Sequence, residues 1–366
     1  MRPLFIASTK PGEGKTLVAL GLLTALRERF RKIGYVKPLG RSPFESGVDG
    51  IDPDVTLLQA ALEIPHPPKE MGPVTVRGGF PYEWLTREGH EKVLSRITQS
   101  LEKVLKGKTF SVIEGTGNAA AGAAFGLSNA FVAKTANARV LLLAGGGIGQ
   151  PIDEIILNKS YFERAGVEVA GVVVNRAYPE ELEKVNTFAR KVLKSMNVEL
   201  VGVIPYTHEL SRPTMAHIQE ELKAEILHGR EFLVNRIGKI VLGAMTSHHA
   251  LASMQGQVTI VAPADREDIL LAALSAMYLL GRRDFAVSGI VLTGRIRPSE
   301  TIQEIMKRTK IPVLAADGDS YSVSSAIHGM SVRLSTREPA RLKEAAELVK
   351  RHVDMDGLVK ALAAQA

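Results

Sequence analysis

The sequence predicts an α/β protein in two domains: a parallel sheet flanked by helices, followed by a smaller α/β domain. Three observations predict it. Over roughly the first two hundred residues, short apolar runs rich in branched side chains alternate with amphipathic segments, the pattern of buried parallel strands joined by covering helices. The first of these runs leads straight into a glycine-rich loop and then a helix. After Pro205 the rhythm changes before strand–helix alternation resumes, and 366 residues exceed what one compact domain usually takes. The boundary is placed near residue 215, giving domains of 1–215 and 216–366.

In chain order, the buried-strand candidates are Leu4–Ala7, Gly34–Val36, Ser111–Ile113, Val140–Ala144, Val169–Val174 and Leu200–Ile204. They are short, mostly rich in branched residues, and typically closed by Gly, Asn, Glu or Pro, residues that end or turn a strand. Helices are predicted over Lys15–Ile33, Glu91–Lys106, Ala123–Ala136, Ile152–Ala165 and Pro179–Met196. Residues 40–80 break the rhythm with Pro and Gly and read as an inserted loop region around a helix near Asp54–Leu62. In the second domain a polar connecting helix, Ser211–Leu227, precedes strands at Val241–Met245, Gln257–Ala262, Gly289–Thr293 and Val313–Ala316. Helices near Glu267–Leu280, Ser299–Arg308, Ser320–His328 and Glu338–Val353 complete it, and no strand of this half ends in a glycine-rich phosphate loop.

Composition narrows the function classes. Hydrophobic residues make up 45% and charged residues 23%, which excludes wholesale disorder. No uninterrupted apolar run reaches the roughly 18 residues of a membrane span, and the apolar run at the start is too short for a secretory leader. The chain has no cysteine, which removes disulfides, thiolate metal sites, iron–sulfur clusters and cysteine nucleophiles. The net charge of +7 is spread along the chain, suiting small anions better than DNA, and 5% aromatic residues disfavour a stacking surface for single strands. The expectation is a cytoplasmic protein with no membrane or nucleic-acid partner. His248 and His249 are adjacent and would diverge on a helix or strand, so no zinc site is expected.

The strongest signal is Ala7-Ser8-Thr9-Lys10-Pro11-Gly12-Glu13-Gly14-Lys15-Thr16-Leu17. Strand, glycine loop and helix in that order are the context a phosphate-binding loop requires. Glycines let backbone N–H groups turn inward around an anion, and the helix start adds its positive dipole end. Lys15 reaches β- and γ-phosphates, and the Thr16 hydroxyl ligates Mg²⁺. Thr9, Lys10, Gly12, Glu13, Gly14, Lys15, Thr16 and Leu17 are therefore the expected phosphate cradle of ATP, with Thr9 where the consensus has glycine. Lys10 is either a solvated loop lysine or a cation aimed at the γ-phosphate of its own or a neighbouring subunit. The run Lys10–Thr16 resembles the phosphate loop of the dimeric MinD/ParA-type ATPases, in which a lysine at this place reaches the partner's nucleotide; it departs from them at Pro11. Glu114 ends the apolar strand Phe110-Ser111-Val112-Ile113, where an acid would hold Mg²⁺, with a turn-capping carboxylate as the alternative. Gly115 and Gly117 after it allow close backbone approach to a ligand.

Gly34-Tyr35-Val36-Lys37-Pro38-Leu39, Asp52-Pro53-Asp54, Glu114-Gly115-Thr116-Gly117 and Val172-Val173-Val174-Asn175-Arg176 occur in the order seen in dethiobiotin synthetase, a phosphate-loop enzyme that the first domain resembles. The resemblance implies a P-loop NTPase-type sheet, with Thr16, Asp54 and Glu114 around Mg²⁺. It also implies Lys37 on phosphates or a carboxylated substrate, Asn175 reading the adenine, and a homodimer. A surface lysine fixed by Pro38 and an ordinary strand-end turn residue are the alternatives for Lys37 and Asn175.

Over nearly the whole chain the sequence resembles the N-terminal portion of long-form bacterial phosphate acetyltransferases. That likeness rests on Glu114-Gly115-Thr116-Gly117-Asn118, Leu127-Ser128-Asn129-Ala130, Leu143-Ala144-Gly145-Gly146-Gly147-Ile148-Gly149 and Pro151-Ile152-Asp153-Glu154. The second domain resembles a DRTGG domain through Asp265-Arg266, Ile290-Val291-Leu292-Thr293-Gly294 and Ile311-Pro312-Val313, and departs at Arg295, where the family has a second glycine. A salt-bridging helix start is the alternative for Asp265-Arg266. The chain ends at Ala366, so acetyl transfer by this polypeptide alone is not expected. Two function classes follow. One is an ATP- and Mg²⁺-binding regulatory protein of acyl or central metabolism, with a ligand- or partner-sensing second domain. The other is an ATP-dependent carboxylate-activating ligase in which Lys15, Lys37 and Glu114 are catalytic. Either takes a nucleotide and a small anionic metabolite, in a homo-oligomer.

Overall fold

Leu4-Phe5-Ile6-Ala7-Ser8 is fully buried and forms β1 inside a six-stranded parallel sheet. A strand covered by helices on both faces needs no polar alternation, and this one has none before Ser8. The computed structural model describes residues 1–42, 50–77, 86–330 and 332–363. They fall into two compact units, Met1–Leu210 with Leu334–Ala366, and Ser211–Arg333.

After β1 (Leu4–Ser8) the chain runs through α1 (Lys15–Leu26), β2 (Ile33–Val36), β3 (Leu39–Ser42), α2 (Pro53–Leu62), α3 (Pro68–Met71), β4 (Val74–Arg77) and α4 (Arg87–Leu105). It continues through β5 (Phe110–Glu114), α5 (Asn129–Thr135), β6 (Arg139–Gly145), α6 (Gln150–Arg164), β7 (Val169–Ala177), α7 (Leu182–Ser195), β8 (Leu200–Pro205) and α8 (His208–Ser211). The large sheet has the order β2-β5-β1-β6-β7-β8, and each neighbouring pair is parallel. Parallel strands place all their carboxyl ends at one edge, where ligands of open α/β sheets bind. The register sets Ile6 opposite Glu114, Ser8 opposite Leu143 and Gly145 opposite Asn175, so the loop after β1 shares that edge with the ends of β5, β6 and β7.

The second unit holds α9 (Met215–Leu222), β9 (Glu225–His228), β10 (Lys239–Leu242), α10 (Ser247–Ser253), β11 (Gly256–Pro263), α11 (Glu267–Tyr278), β12 (Phe285–Thr293), α12 (Glu300–Lys307), β13 (Val313–Ala315) and α13 (Ser320–Gly329). Its sheet has the order β10-β11-β12-β13-β9, parallel except for the antiparallel edge strand β9.

The last helices, α14 (Pro339–His352) and α15 (Met355–Ala363), correct the expected domain assignment. Everything after residue 215 reads from sequence as one domain, but the second unit ends at Arg333 and the chain then returns to the first. Ala345, Val349, Val353, Leu358, Val359 and Leu362 are buried in the core of the first unit. The Asp354 N–H donates to the Val201 carbonyl at 2.8 Å. The Arg139 guanidinium donates to the Ala361 carbonyl and pairs with Glu168 at 2.8 Å. An apolar stripe on a helix shows that the helix is covered and not by which domain, so periodicity could not place α14.

Four local readings are also corrected. The first helix stops at Leu26 rather than Ile33, because the chain must reverse for Ile33 to pair with Phe110; Arg29 and Phe30 N–H groups close that turn on the Leu26 carbonyl at 3.1 and 2.8 Å. Ala123–Ala136 is broken at Gly126 (φ +69°), and Ser128 caps a separate α5 through the Phe131 N–H. Ser211–Leu227 is no single helix: Thr214, after Pro213, caps α9, Lys223 ends it at φ +49°, and β9 follows. Residues 40–80, read as loop, contain the two-stranded parallel sheet β3-β4 and α3 among the described residues. Among the described residues no helix is long and apolar enough to cross a membrane.

Candidate functional site

The loop leaving β1 passes through Gly12 (φ +86°) and Gly14 (φ +85°), a region side-chain-bearing residues avoid. Where a Cβ on Gly12 would sit, nothing lies within 4 Å. No side chain caps α1, so the N–H groups of Lys15, Thr16 and Leu17 lack helical partners and remain for an anion. The Leu17 side chain packs on the core, leaving only its backbone to the site.

Lys15 is buried, and its Nζ donates to Ser8 Oγ at 2.9 Å. Ser8 Oγ lies 2.6 Å from the Lys10 carbonyl and 3.0 Å from that of Gly117, tying the loop to the segment after β5. Burial pushes the Lys15 ammonium pKa below its usual value, against the opposing pull of the Glu114 carboxylate. Thr9 buries its side chain, and its hydroxyl has no hydrogen-bond partner among the described residues. Lys10 is half exposed and pairs with Glu154 of α6 at 2.5 Å. Glu13 is raised by burial, with Arg176 and Lys10 opposing. Asn175 lies beneath the loop: its Nδ2 donates to the Glu13 carbonyl at 2.9 Å and its Oδ1 accepts from the Arg176 N–H at 3.0 Å. A Cβ on Gly14 would fall 2.4 Å from Asn175 Nδ2, so Gly14 is what lets this support fit. Both ends of the amide are engaged within the protein.

Glu114, at the end of β5, is 1% exposed. Its Oε1 accepts from Thr16 Oγ1 at 2.9 Å and its Oε2 from the Tyr35 hydroxyl at 2.9 Å. Lys37 follows β2 and is 6% exposed, which rules out the surface-lysine reading. Its Nζ lies 3.0 Å from both oxygens of Asp52, hydrogen-bonds Asp54 Oδ2, and stands 3.4 Å from Glu114 Oε1. Asp52 is also the N-cap of α2, accepting from the Asp54 N–H at 2.9 Å, with Pro53 at the first helical position. Burial opposes the Lys37 charge, but Asp54, Glu114 and Asp52 together outweigh it and hold its pKa above the ordinary lysine range. Burial pushes Glu114 up against the pull of Lys37, and burial followed by the Glu114 charge does the same to Tyr35. Three carboxylates thus meet the Lys37 ammonium in one largely buried network, while the Lys15 ammonium is held by Ser8.

The structure brings Thr16, Lys37, Asp54 and Glu114 into one set of contacts, with Lys15 held apart from them on Ser8. Thr16 and the two carboxylates Asp54 and Glu114 are hard oxygen donors of the kind Mg²⁺ takes, with phosphate oxygens or water completing its shell. Among the described residues no group of three His, Cys, Asp or Glu could hold a metal ion by itself. Sequence reasoning missed three participants. Tyr35 and Asp52 stood in the quoted motifs without a role; a Pro at a helix start marks the residue before it as the cap. Asn129, likewise unassigned, fastens the segment after β5: its Oδ1 accepts from the Thr116 N–H at 3.2 Å, and its Nδ2 donates to the Thr116 and Asn118 carbonyls at 2.9 and 2.6 Å. Gly115 is a point of close approach, since a Cβ there would meet Phe5 at 2.6 Å and Asn129 Oδ1 at 2.8 Å.

In the second unit Arg266 donates to the Gly243 and Met245 carbonyls, both at 2.6 Å, and pairs with Asp268 at 2.9 Å. It is the salt-bridging helix start of the alternative reading and also a staple for the turn after β10. Gly294 and Arg295 are consecutive left-handed residues, at φ +88° and +56°. That is the physical reason a glycine pair suits this turn, and Arg295 occupies it at a cost of about 1–2 kcal/mol. Its contact with Asp317 at 3.5 Å is exposed and contributes little.

A family model described as an AAA domain matches residues 2–214, more than half of the chain, and one described as a DRTGG domain matches residues 217–330. Relatives named phosphate acetyltransferase include those of Nitratidesulfovibrio vulgaris, 23% identical over 97% of this chain and 51% of that protein, and Deinococcus radiodurans, 26% identical over 97% and 50%. The chain therefore spans about half the length of the curated relatives it matches. Among solved structures, the MinD cell division protein of Aquifex aeolicus is 16% identical over 57% of this chain and 84% of its own, with a TM-score of 0.35. TM-scores of this size carry no functional weight.

Proposed function

Because the chain belongs to the AAA-domain family through residues 2–214 and carries a DRTGG domain after it, we propose that it binds ATP with Mg²⁺ in the first unit and senses a ligand or partner with the second. Regulation within acyl or central metabolism is the reading we favour, supported by relatives named phosphate acetyltransferase that share this region. One observation carries the nucleotide assignment: a glycine loop open at Gly12 stands beside the joined side chains of Thr16, Glu114 and Lys37. The loop N–H groups and the start of α1 receive the phosphates, and Lys15 turns from Ser8 to them. Thr16, Glu114 and Asp54 would hold Mg²⁺, which when bound neutralises phosphate charge. Asn175 holds the loop in shape, and its amide would have to leave Glu13 or Arg176 to read a base.

A second reading is an ATP-dependent carboxylate-activating ligase of dethiobiotin synthetase type. Lys37 favours it, since a buried ammonium beside the phosphate loop would attract an anionic metabolite, with Lys37 and Glu114 then catalytic. Protection against thermal unfolding tests both readings, and ADP release in the presence of carboxylic acids separates them. ATP–Mg²⁺ is expected to raise the melting temperature, and on the regulatory reading no panel of carboxylic acids drives ADP release. Acid-dependent release of ADP would establish the ligase instead. No protection by any nucleotide would remove both.

Lys10 bears on assembly. We propose a homodimer with the nucleotide face at its interface, in which Lys10 leaves Glu154 for the partner's nucleotide. Sedimentation with and without ATP–Mg²⁺ is expected to show a dimer that Lys10→Ala weakens in the presence of nucleotide. A monomer in both conditions at micromolar concentration would overturn the assembly. An unaffected dimer would overturn only the role of Lys10.

A further inference from the structure

We propose that Lys37 is a resident counter-cation, holding the carboxylates of the metal site in place of the divalent ion until metal and nucleotide enter together. The inference rests on the nucleotide reading above and concerns what guards the site before loading. The ammonium of Lys37 is 3.0 Å from Asp52, hydrogen-bonded to Asp54 and 3.4 Å from Glu114. Two of these three carboxylates are the ones assigned to the metal. The ammonium hydrogen-bonds Asp52 and Asp54 and lies within ion-pair distance of Glu114, so all three carboxylates have a cation without any metal ion.

Burial makes the arrangement consequential. Lys37, Asp52 and Glu114 are 6%, 2% and 1% exposed, so water screens their charges poorly and the ammonium matters to all three. A divalent cation drawing on Asp54 and Glu114 at close range would be repelled by an ammonium still seated between them. Metal alone offers Lys37 nothing in exchange. Nucleotide phosphates offer it an anionic partner while supplying the metal with further oxygen ligands. Asp52 is not among the proposed metal donors; it is fixed as the cap of α2 and remains as the anchor for Lys37. The site is therefore closed to free metal and open to the metal–nucleotide pair.

The test is Mn²⁺ binding to the full chain without nucleotide, followed by the electron paramagnetic resonance of free Mn²⁺. The wild type is expected to bind Mn²⁺ alone weakly, and Lys37→Met at least about tenfold more tightly, the smallest change expected when one adjacent opposite charge is removed from a carboxylate site. Mn²⁺ should raise the melting temperature of Lys37→Met and leave that of the wild type nearly unchanged. Adding Glu114→Gln to Lys37→Met should erase the gain. Should Lys37→Met alone fold poorly, Lys37→Met with Asp52→Asn removes one charge of each sign and carries the same expectation. Mn²⁺ affinity no higher than wild type in a folded variant overturns the proposal, and so does failure of Mn²⁺ to rescue folding of both. Wild-type protection by ATP–Mg²⁺ is scored separately. Nucleotide binding without the Mn²⁺ gain removes the counter-cation role alone, and the gain without nucleotide binding removes only the reading it rests on.

Discussion

Lys15→Ala should abolish the nucleotide-dependent rise in melting temperature while leaving the fold in place. A ligand present at a hundred times its dissociation constant adds about 2.7 kcal/mol to stability, which for a unit of this size raises the melting temperature by about 5–10 °C. In the variant the rise should fall to near zero, because the phosphates lose the one buried ammonium seated at the loop's own helix start. The free protein should tolerate the change. Ser8 Oγ, which accepts from Lys15 Nζ, keeps the Lys10 and Gly117 carbonyls within reach, and no carboxylate is left without a cation because Lys37 stays beside Glu114. Removing an ammonium whose burial already lowers its pKa relieves a desolvation cost as well as losing a contact. Differential scanning fluorimetry with ATP–Mg²⁺, alongside circular dichroism of the free variant, is the measurement. Equal rises in variant and parent would overturn the phosphate site.

Glu114→Gln is expected to weaken the Mg²⁺ dependence of nucleotide binding by roughly tenfold to a hundredfold, the range seen when even an outer partner of a metal ligand is lost. Glutamine keeps the shape of the side chain and removes its charge. It also forces a conflict of donors: Oε1 accepts from Thr16 and faces Lys37 while Oε2 accepts from Tyr35, so a carboxamide NH₂ must point at a donor on one side or the other. Nucleotide affinity measured in EDTA should change far less than affinity measured across a Mg²⁺ titration. The same metal response in both proteins would make Glu114 a turn residue at the end of β5 and nothing more.

How much of this was legible in the chain differs from feature to feature. The phosphate loop was read residue by residue, since strand, glycines and Lys15-Thr16 lie within a few positions of one another and their chemistry is local. Glu114 is legible because it ends an apolar strand, and Lys37 through the resemblance to dethiobiotin synthetase; a parallel sheet brings strand ends to one edge whatever the length of the connections. Tyr35 was passed over because it reads as one more buried aromatic in β2; only the register of β2 on β5 sets its hydroxyl 2.9 Å from Glu114. The surface-lysine alternative for Lys37 survived for the same reason, as burial is decided by what other segments bring. Asp52 arrives with the cap of α2, and its carboxylate, with those of Asp54 and Glu114, keeps the lysine charged inside the protein.

At the level of domains the division is similar. Composition, apolar runs and the glycine loop by themselves determined the fold class and the place of the glycine loop at the start of α1, because those properties are written in near neighbours. Tertiary structure alone decided that Leu334–Ala366 belongs to the first unit, that Asn175 braces the loop from beneath, and that three carboxylates close on a single ammonium. Each of these joins residues far apart in sequence, and the energy that selects them comes from burying apolar area and pairing charge across those separations, which no local pattern records.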